Sequence, residues 1–163
     1  MKMVRYLILI LSLFFFGCET SGQQLIKPEK FNFNEIKFDA VSKELLFKKP
    51  LSTQDEINYG QIIDYWFDNR IKTDGFDGNL AVEIKELQIS KTKEDGYYKV
   101  ETRLLINFTE IKESSNKRKF YEVEAFEYGE IIGSFSIKDQ DNLDINIMHK
   151  NLNNISKKLE NIL

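Results

Sequence analysis

One cysteine, one histidine, one tryptophan and two prolines are all that the 163-residue chain holds of those four residue types. A single thiol excludes an internal disulfide. One His and one Cys cannot supply the four ligands of a structural zinc site. His149 could serve as a base only beside a nucleophile and an orienting acid, and no spacing in the sequence suggests either. Neither a Gly-x-Ser-x-Gly elbow nor a glycine-rich phosphate loop is present. A membrane-spanning run is missing too: the longest apolar stretch, Tyr6 to Phe16 broken only by Ser12, falls short of the about 20 residues that a bilayer core requires. Excess positive charge is also absent. With 23 Lys and Arg against 26 Asp and Glu the chain carries −3, which argues against nucleic acid or anionic lipid as a partner.

What is present begins with the N-terminus. Lys2 and Arg5 precede the apolar run, and no acid does. A positive start followed by roughly 7 to 15 apolar residues is the pattern of an export signal, inserted with its downstream end outward. The run closes on Gly17-Cys18, which resembles the lipobox of bacterial lipoproteins. That resemblance implies cleavage between Gly17 and Cys18, a diacylglycerol on the sulfur and an acylated new N-terminus. Phe15 and Phe16 depart from the Leu and small residue that the family prefers at those places. The rival readings are a cleaved soluble secretory protein and an uncleaved short anchor. Lipid explains the lone cysteine best: each buried methylene is worth about 0.8 kcal/mol, and stable anchoring takes at least two chains. Without Lys2 and Arg5, 21 basic residues face 26 acidic ones, a net of −5.

The chain then divides into a signal segment over 1–17, a flexible tether over 18–30 and one domain over 31–163. The tether is polar and contains Gly22 and Pro28. Phe31, Phe33, Ile36, Phe38 and Ala40 alternate with one slip at Asn34-Glu35 and predict a first strand. Thr53 with Glu56 three residues on forms a capping box, and Tyr59, Ile63, Trp66 and Phe67 share one face of the helix that follows, with Ile71 near its end. "TDGFDGN" breaks that helix. Leu80, Val82 and Ile84 alternate, and Leu87 and Ile89 continue after a shift at Lys85-Glu86; Asp95-Gly96 marks a tight turn. Tyr98 to Phe108 keeps strict alternation, "KESSNKRK" turns the chain, and "FYEVEAFEY" is the fourth strand. "GEIIGSFSIKDQDN" reads either as a strand extension or as a loop. From about Asp141 a final helix carries Ile145, Met148, Leu152, Ile155, Leu159 and Ile162 as a narrow apolar seam.

The order β-α-β-β-β-α predicts an α+β two-layer sandwich, with two helices on one face of a four-stranded, mostly antiparallel sheet. The other face then carries Glu101, Arg103, Glu122 and Glu124, with Phe120, Phe126, Tyr128 and Tyr97 on the same parity. An apolar patch rimmed by charges is how partner surfaces look, so these residues are the candidate docking surface. Three other features read as structural. His149 flanks the seam; Asp64 and Asp68 lie four apart on a solvated helix face rather than as a glycosidase pair. "DGFDGN" has two acids and two glycines but lacks the bidentate twelfth-position Glu of a calcium loop. No metal and no cofactor are expected.

The lipobox-like start, the size and the layout resemble small envelope lipoproteins, above all the lipopolysaccharide-assembly lipoproteins that plug an outer-membrane translocon and the auxiliary lipoproteins of ABC-type lipid transporters. The Gly-aromatic motif of the former is absent after Cys18, and no functional residue beyond Cys18 carries over. The resemblance implies a non-enzymatic, lipid-anchored accessory or scaffold subunit of an envelope complex. Glu19, rather than the aspartate that signals inner-membrane retention, favours the outer membrane. The alternative is a lipoprotein that binds a lipid or envelope polymer. An accessory subunit requires a solid core and a flat patch; a ligand carrier requires a deep apolar cavity between helices and sheet. An envelope hydrolase would need polar groups converging in a cleft.

Overall fold

The computed structural model describes residues 35–163; the signal segment, Gly17, Cys18, Glu19, the tether, Phe31 and Phe33 lie outside the described residues. Eight elements follow in order: β1 (Ile36–Phe38), β2 (Ser42–Phe47), α1 (Gln54–Arg70), β3 (Ile71–Thr73), β4 (Asn79–Glu94), β5 (Tyr97–Lys112), β6 (Lys117–Ile132) and α2 (Ile137–Glu160). The main sheet has the order β2-β4-β5-β6, and β1 pairs with β3 in a separate two-stranded ribbon. The fold is the expected α+β sandwich.

Its first strand differs from the sequence reading. Ile36 and Phe38 are buried and pair in parallel with Ile71 and Thr73. The chain then turns, and the edge strand of the main sheet is "SKELLF". The sequence hides this strand because Lys43 takes an inward slot between apolar neighbours. That slot suits a cation: Lys43 Nζ donates to the carbonyls of Phe67 (2.9 Å) and Ile71 (2.7 Å) at the end of α1, where the helix dipole is negative. Because β2 and β4 are parallel, their link must cross over, and α1 supplies the crossover. The other pairs, β4-β5 and β5-β6, are antiparallel.

α1 starts as the capping box requires. Thr53 accepts from the Glu56 amide, and the Glu56 carboxylate accepts from the Thr53 and Ser52 amides at 2.9 and 2.7 Å. These bonds hold its pKa down at about 2. The β4 shift is a register break between Ile84 and Glu86. It returns Leu87 and Ile89 to the core side. β5 and β6 then pair along their whole length, from Tyr97↔Ile132 to Lys112↔Lys117.

α2 begins four residues earlier than its apolar seam suggests. Ser136 and Asp139 form a second capping box, while Ile137 is exposed and adds nothing to the periodicity. Met148, Leu152, Ile155 and Leu159 are fully buried and Ile145 is partly buried, as the seam requires. Ile162 lies past the helix and is exposed. The residues of both helices join one core with the inward side chains of β4, β5 and β6: Trp66, Ile63, Leu80, Val82, Leu104, Ile106, Phe108 and Val123 are at its centre. The helices therefore share one face of the sheet.

Candidate functional site: the open sheet face

The face away from the helices is built from alternate residues of the long strands. Cross-strand pairing sets Arg103 between Gln88 on β4 and Phe126 on β6, and Glu101 between Ser90 and Tyr128. Leu105 separates Glu86 from Glu124, and Asn107 separates Glu83 from Glu122. Five of the seven candidate residues thus form one cluster: Glu101, Arg103, Glu124, Phe126 and Tyr128. The Phe126 and Tyr128 rings lie 6.4 Å apart, tilted by 35°. Arg103 Nε donates to the Glu124 carboxylate, which raises the guanidinium pKa further. Glu122 sits one rung along, and Phe120 two, opposite Thr109. Phe120 therefore stands apart from the other aromatics while remaining 60 % exposed.

Sequence parity missed three contributors to this face, Gln88, Lys158 and Leu46, while Lys99 shares the polar parity of Glu101 and Arg103. Lys99 lies over the Tyr128 ring at 5.7 Å and pairs with Glu101 at 2.8 Å. Gln88 and Lys158 join Arg103, Glu124, Ala125 and Phe126 around an open groove of about 510 Å³. Leu46, on β2, is exposed in the row that runs through Glu83, Asn107 and Glu122. Register supplies the signal that would have found Gln88 and Leu46, since each stands on a rung with an identified partner; Lys158 comes from α2 and has no such signal. Tyr97 closes the upper end of the face, its hydroxyl 3.3 Å from Glu130 Oε2.

The best-built polar cluster lies elsewhere. Lys91 on β4 bridges Asp55 of α1 (2.7 Å) and Asp144 of α2 (2.6 Å), and Tyr98 donates to Asp144 at 2.7 Å. Burial alone would lower the Lys91 pKa, but its bonds to Asp144 and Asp55 outweigh burial and raise it. Burial and Asp144 also raise that of Tyr98. Both groups stay protonated at neutral pH, and the cluster fastens both helices to the sheet.

The three features read as structural occupy ordinary places. His149 is half-buried on α2, where desolvation lowers its pKa to about 4. Asp64 lies on the exposed side of α1, its pKa raised by burial and by Asp68. In "DGFDGN", Asp77 accepts from the Ser114 amide (3.1 Å) and hydroxyl, and Asp74 pairs with Lys37 at 3.5 Å. Among the described residues, no three His, Cys, Asp or Glu side chains converge as metal ligands. No described helix is long and apolar enough to cross a membrane.

No protein-family model matches the chain, and no curated protein does. Among solved structures, the chain is similar to a minor lipoprotein from Acinetobacter baumannii, with 11 % identity, 71 % of this chain and 88 % of that chain covered, and a TM-score of 0.41. It is similar to the rare lipoprotein B from Shewanella oneidensis at 8 % identity, with 74 % and 92 % covered and a TM-score of 0.38. A putative lipoprotein from Caulobacter crescentus matches at 5 % identity, with 69 % and 83 % covered and a TM-score of 0.36. These similarities are too distant to assign a fold family, a ligand or a partner.

Proposed function

We propose that the chain is a non-enzymatic, lipid-anchored envelope protein, acylated at Cys18, which docks through its open sheet face onto an envelope complex as an accessory subunit. The carrying observation is the exposed Phe126–Tyr128 pair set among Lys99, Glu101, Arg103 and Glu124. An apolar centre with a charged rim is the anatomy of a protein interface. Its rim ions are mutually paired, so the face gives orientation and specificity more than raw affinity. The signal-like start and Gly17-Cys18 support the anchor, and Glu19 in place of aspartate supports the outer membrane. Transport or assembly of lipid or lipopolysaccharide is the role that the resemblance in layout implies.

The space where a bound lipid would lie, between helices and sheet, is filled by Trp66, Phe108, Ile106, Met148 and Leu152, each fully buried. That favours the accessory reading over the ligand carrier. Two arms test the proposal. Metabolic labelling with palmitate is expected to mark the full chain and to be lost in Cys18→Ser; an unlabelled wild type defeats the anchor. Crosslinking in membranes, followed by pull-down, is expected to recover one specific envelope complex from wild type and not from Cys18→Ser. Recovery of the same proteins from both defeats the accessory role.

A further inference from the structure

Phe76 is fully exposed, at 100 %, yet the loop that carries it is tied down on both flanks. The Asp74 amide donates to the Phe38 carbonyl at 3.2 Å, the Gly75 amide to the Ala40 carbonyl at 3.0 Å, and the Val41 amide to the Gly78 carbonyl at 3.0 Å. Lys112 Nζ donates to the Asp77 carbonyl at 3.2 Å, and the Ser114 amide and hydroxyl donate to the Asp77 carboxylate. These bonds fix the β3-β4 loop to the β1-β2 connection on one side and to the β5-β6 turn on the other. A Cβ at Gly75 would stand 2.5 Å from the Ala40 amide nitrogen, so the backbone beside Phe76 has no room to fold the ring inward. A bare aromatic ring on a loop with little freedom left to lose is suited to burial in something outside the domain.

We propose that Phe76 inserts into the lipid bilayer that holds the anchor and seats this end of the domain on the membrane; the proposal rests on acylation at Cys18. Connectivity and charge select the bilayer. The described fold begins at Glu35, beside β1, where Ile36 pairs with Ile71, and Phe76 follows Ile71 by five positions. The 16 residues between Cys18 and Glu35 span at most about 60 Å. The long strands have 16 residues and rise about 50 Å. The end with Phe76 is thus within easy reach of the anchor, whereas the far end, where Ile132 and Ile137 are exposed, would need nearly the whole contour. Around Phe76 the acids are answered: Asp74 by Lys37 at 3.5 Å, Asp39 by Lys112 at 2.6 Å and Asp77 by Ser114. Lys117 and Arg118 stand on the same end, opposite Lys112 and Ile111. The far end instead sets Glu94, Asp95, Glu130 and Asp141 against Lys93 and Lys138. Lipid phosphates favour the first end and are repelled by the second. One ring binds a bilayer weakly, but the anchor holds it at high effective concentration. With Phe76 seated, the long strands stand up from the membrane and the open sheet face looks sideways.

Tryptophan fluorescence on the full chain tests this. Phe76→Trp is reconstituted into phosphatidylcholine vesicles with brominated acyl chains, which quench tryptophan at short range. The wild type, whose sole Trp66 is buried, gives the emission to subtract, and Ile137→Trp reports on the far end. About half of the emission added by Phe76→Trp is expected to be quenched and its maximum to shift to the blue, while that of Ile137→Trp is unchanged. Phe76→Trp combined with Cys18→Ser is expected to stay unquenched, since one ring cannot hold the domain on a bilayer. The mass of the Cys18 peptide separates the two readings. An unacylated Cys18 defeats the anchor and the insertion with it; an acylated chain whose Phe76→Trp emission is unquenched overturns the insertion alone. Equal quenching of Phe76→Trp and Ile137→Trp also overturns it. So does a discrete protein adduct from Phe76→p-benzoylphenylalanine in cells, which would put a partner's pocket at this tip.

Discussion

The Trp66 indole of α1 donates a 3.0 Å hydrogen bond to the Ser156 hydroxyl of α2, and that hydroxyl donates in turn to the Leu152 carbonyl at 2.9 Å. Both side chains are buried. The two helices therefore meet over the sheet at a fixed polar point inside an apolar contact, four residues before the Arg70–Glu160 pair at 2.6 Å closes the same end. This junction holds the sandwich rigid behind the open face.

Ser156→Ala strands the indole N–H in a dry site and is expected to cost about 1–3 kcal/mol. Trp66→Ala adds a large cavity and is expected to cost about 3–5 kcal/mol. Urea unfolding checks both. Equal losses in the two variants would show that the hydrogen bond, not packing, dominates the junction.

Gly78 and Gly96 both adopt positive φ, +87° and +68°, so alanine is strained at either place. Only at Gly78 is the space also taken: a Cβ there would meet the Ile111 carbonyl oxygen, whereas the nearest atom to one at Gly96 is 3.9 Å away. Gly96→Ala is expected to cost about 1–2 kcal/mol and Gly78→Ala clearly more, because backbone must move. Thermal melting of the two variants decides it, and a Gly78→Ala protein as stable as Gly96→Ala would contradict the packing of the β3-β4 loop on β5.

Stability should fall on acidification through His149. Its folded pKa is about 4 against an ordinary 6.5, so between those values the unfolded chain binds the proton and the folded chain does not. The contribution is complete above about pH 6.5 and is lost as pH drops toward 4. The gap corresponds to at most about 3 kcal/mol, and on the order of 1–2 kcal/mol once partial exposure is allowed for. In His149→Gln the fall from pH 7 to 4.5 should be shallower by that amount. Parallel curves for variant and wild type would refute the assignment.

Phe126→Ser and Tyr128→Ser remove rings that are 55 % and 58 % exposed. Each is expected to change stability by no more than about 0.5 kcal/mol while weakening recovery of the envelope complex. A loss of several kcal/mol would mark the pair as core instead.

Much of this arrangement is legible in the chain. Tyr59, Ile63, Trp66 and Phe67 place α1, the Lys85-Glu86 shift places the β4 bulge, and the parity of β5 and β6 identifies the open face. Three things were hidden. Lys43 masks β2, because its inward position depends on α1 carbonyls distant in sequence. The first turn of α2 has no apolar residue facing the core, so only its capping box announces it. Parity groups Phe120 with Phe126 and Tyr128, but register separates it from them by three and four rungs. Periodicity reports which face a residue takes, not how far along the strand its neighbours lie.

The most direct test of the account is site-specific photocrosslinking in intact cells from position 101 on β5, with position 153, exposed on the outer side of α2, as the comparison. Glu101→p-benzoylphenylalanine in the full chain is expected to yield one discrete adduct with another envelope protein, absent from Asn153→p-benzoylphenylalanine and lost with Cys18→Ser. No adduct from position 101, or the same adducts from both positions, would contradict docking through the open sheet face.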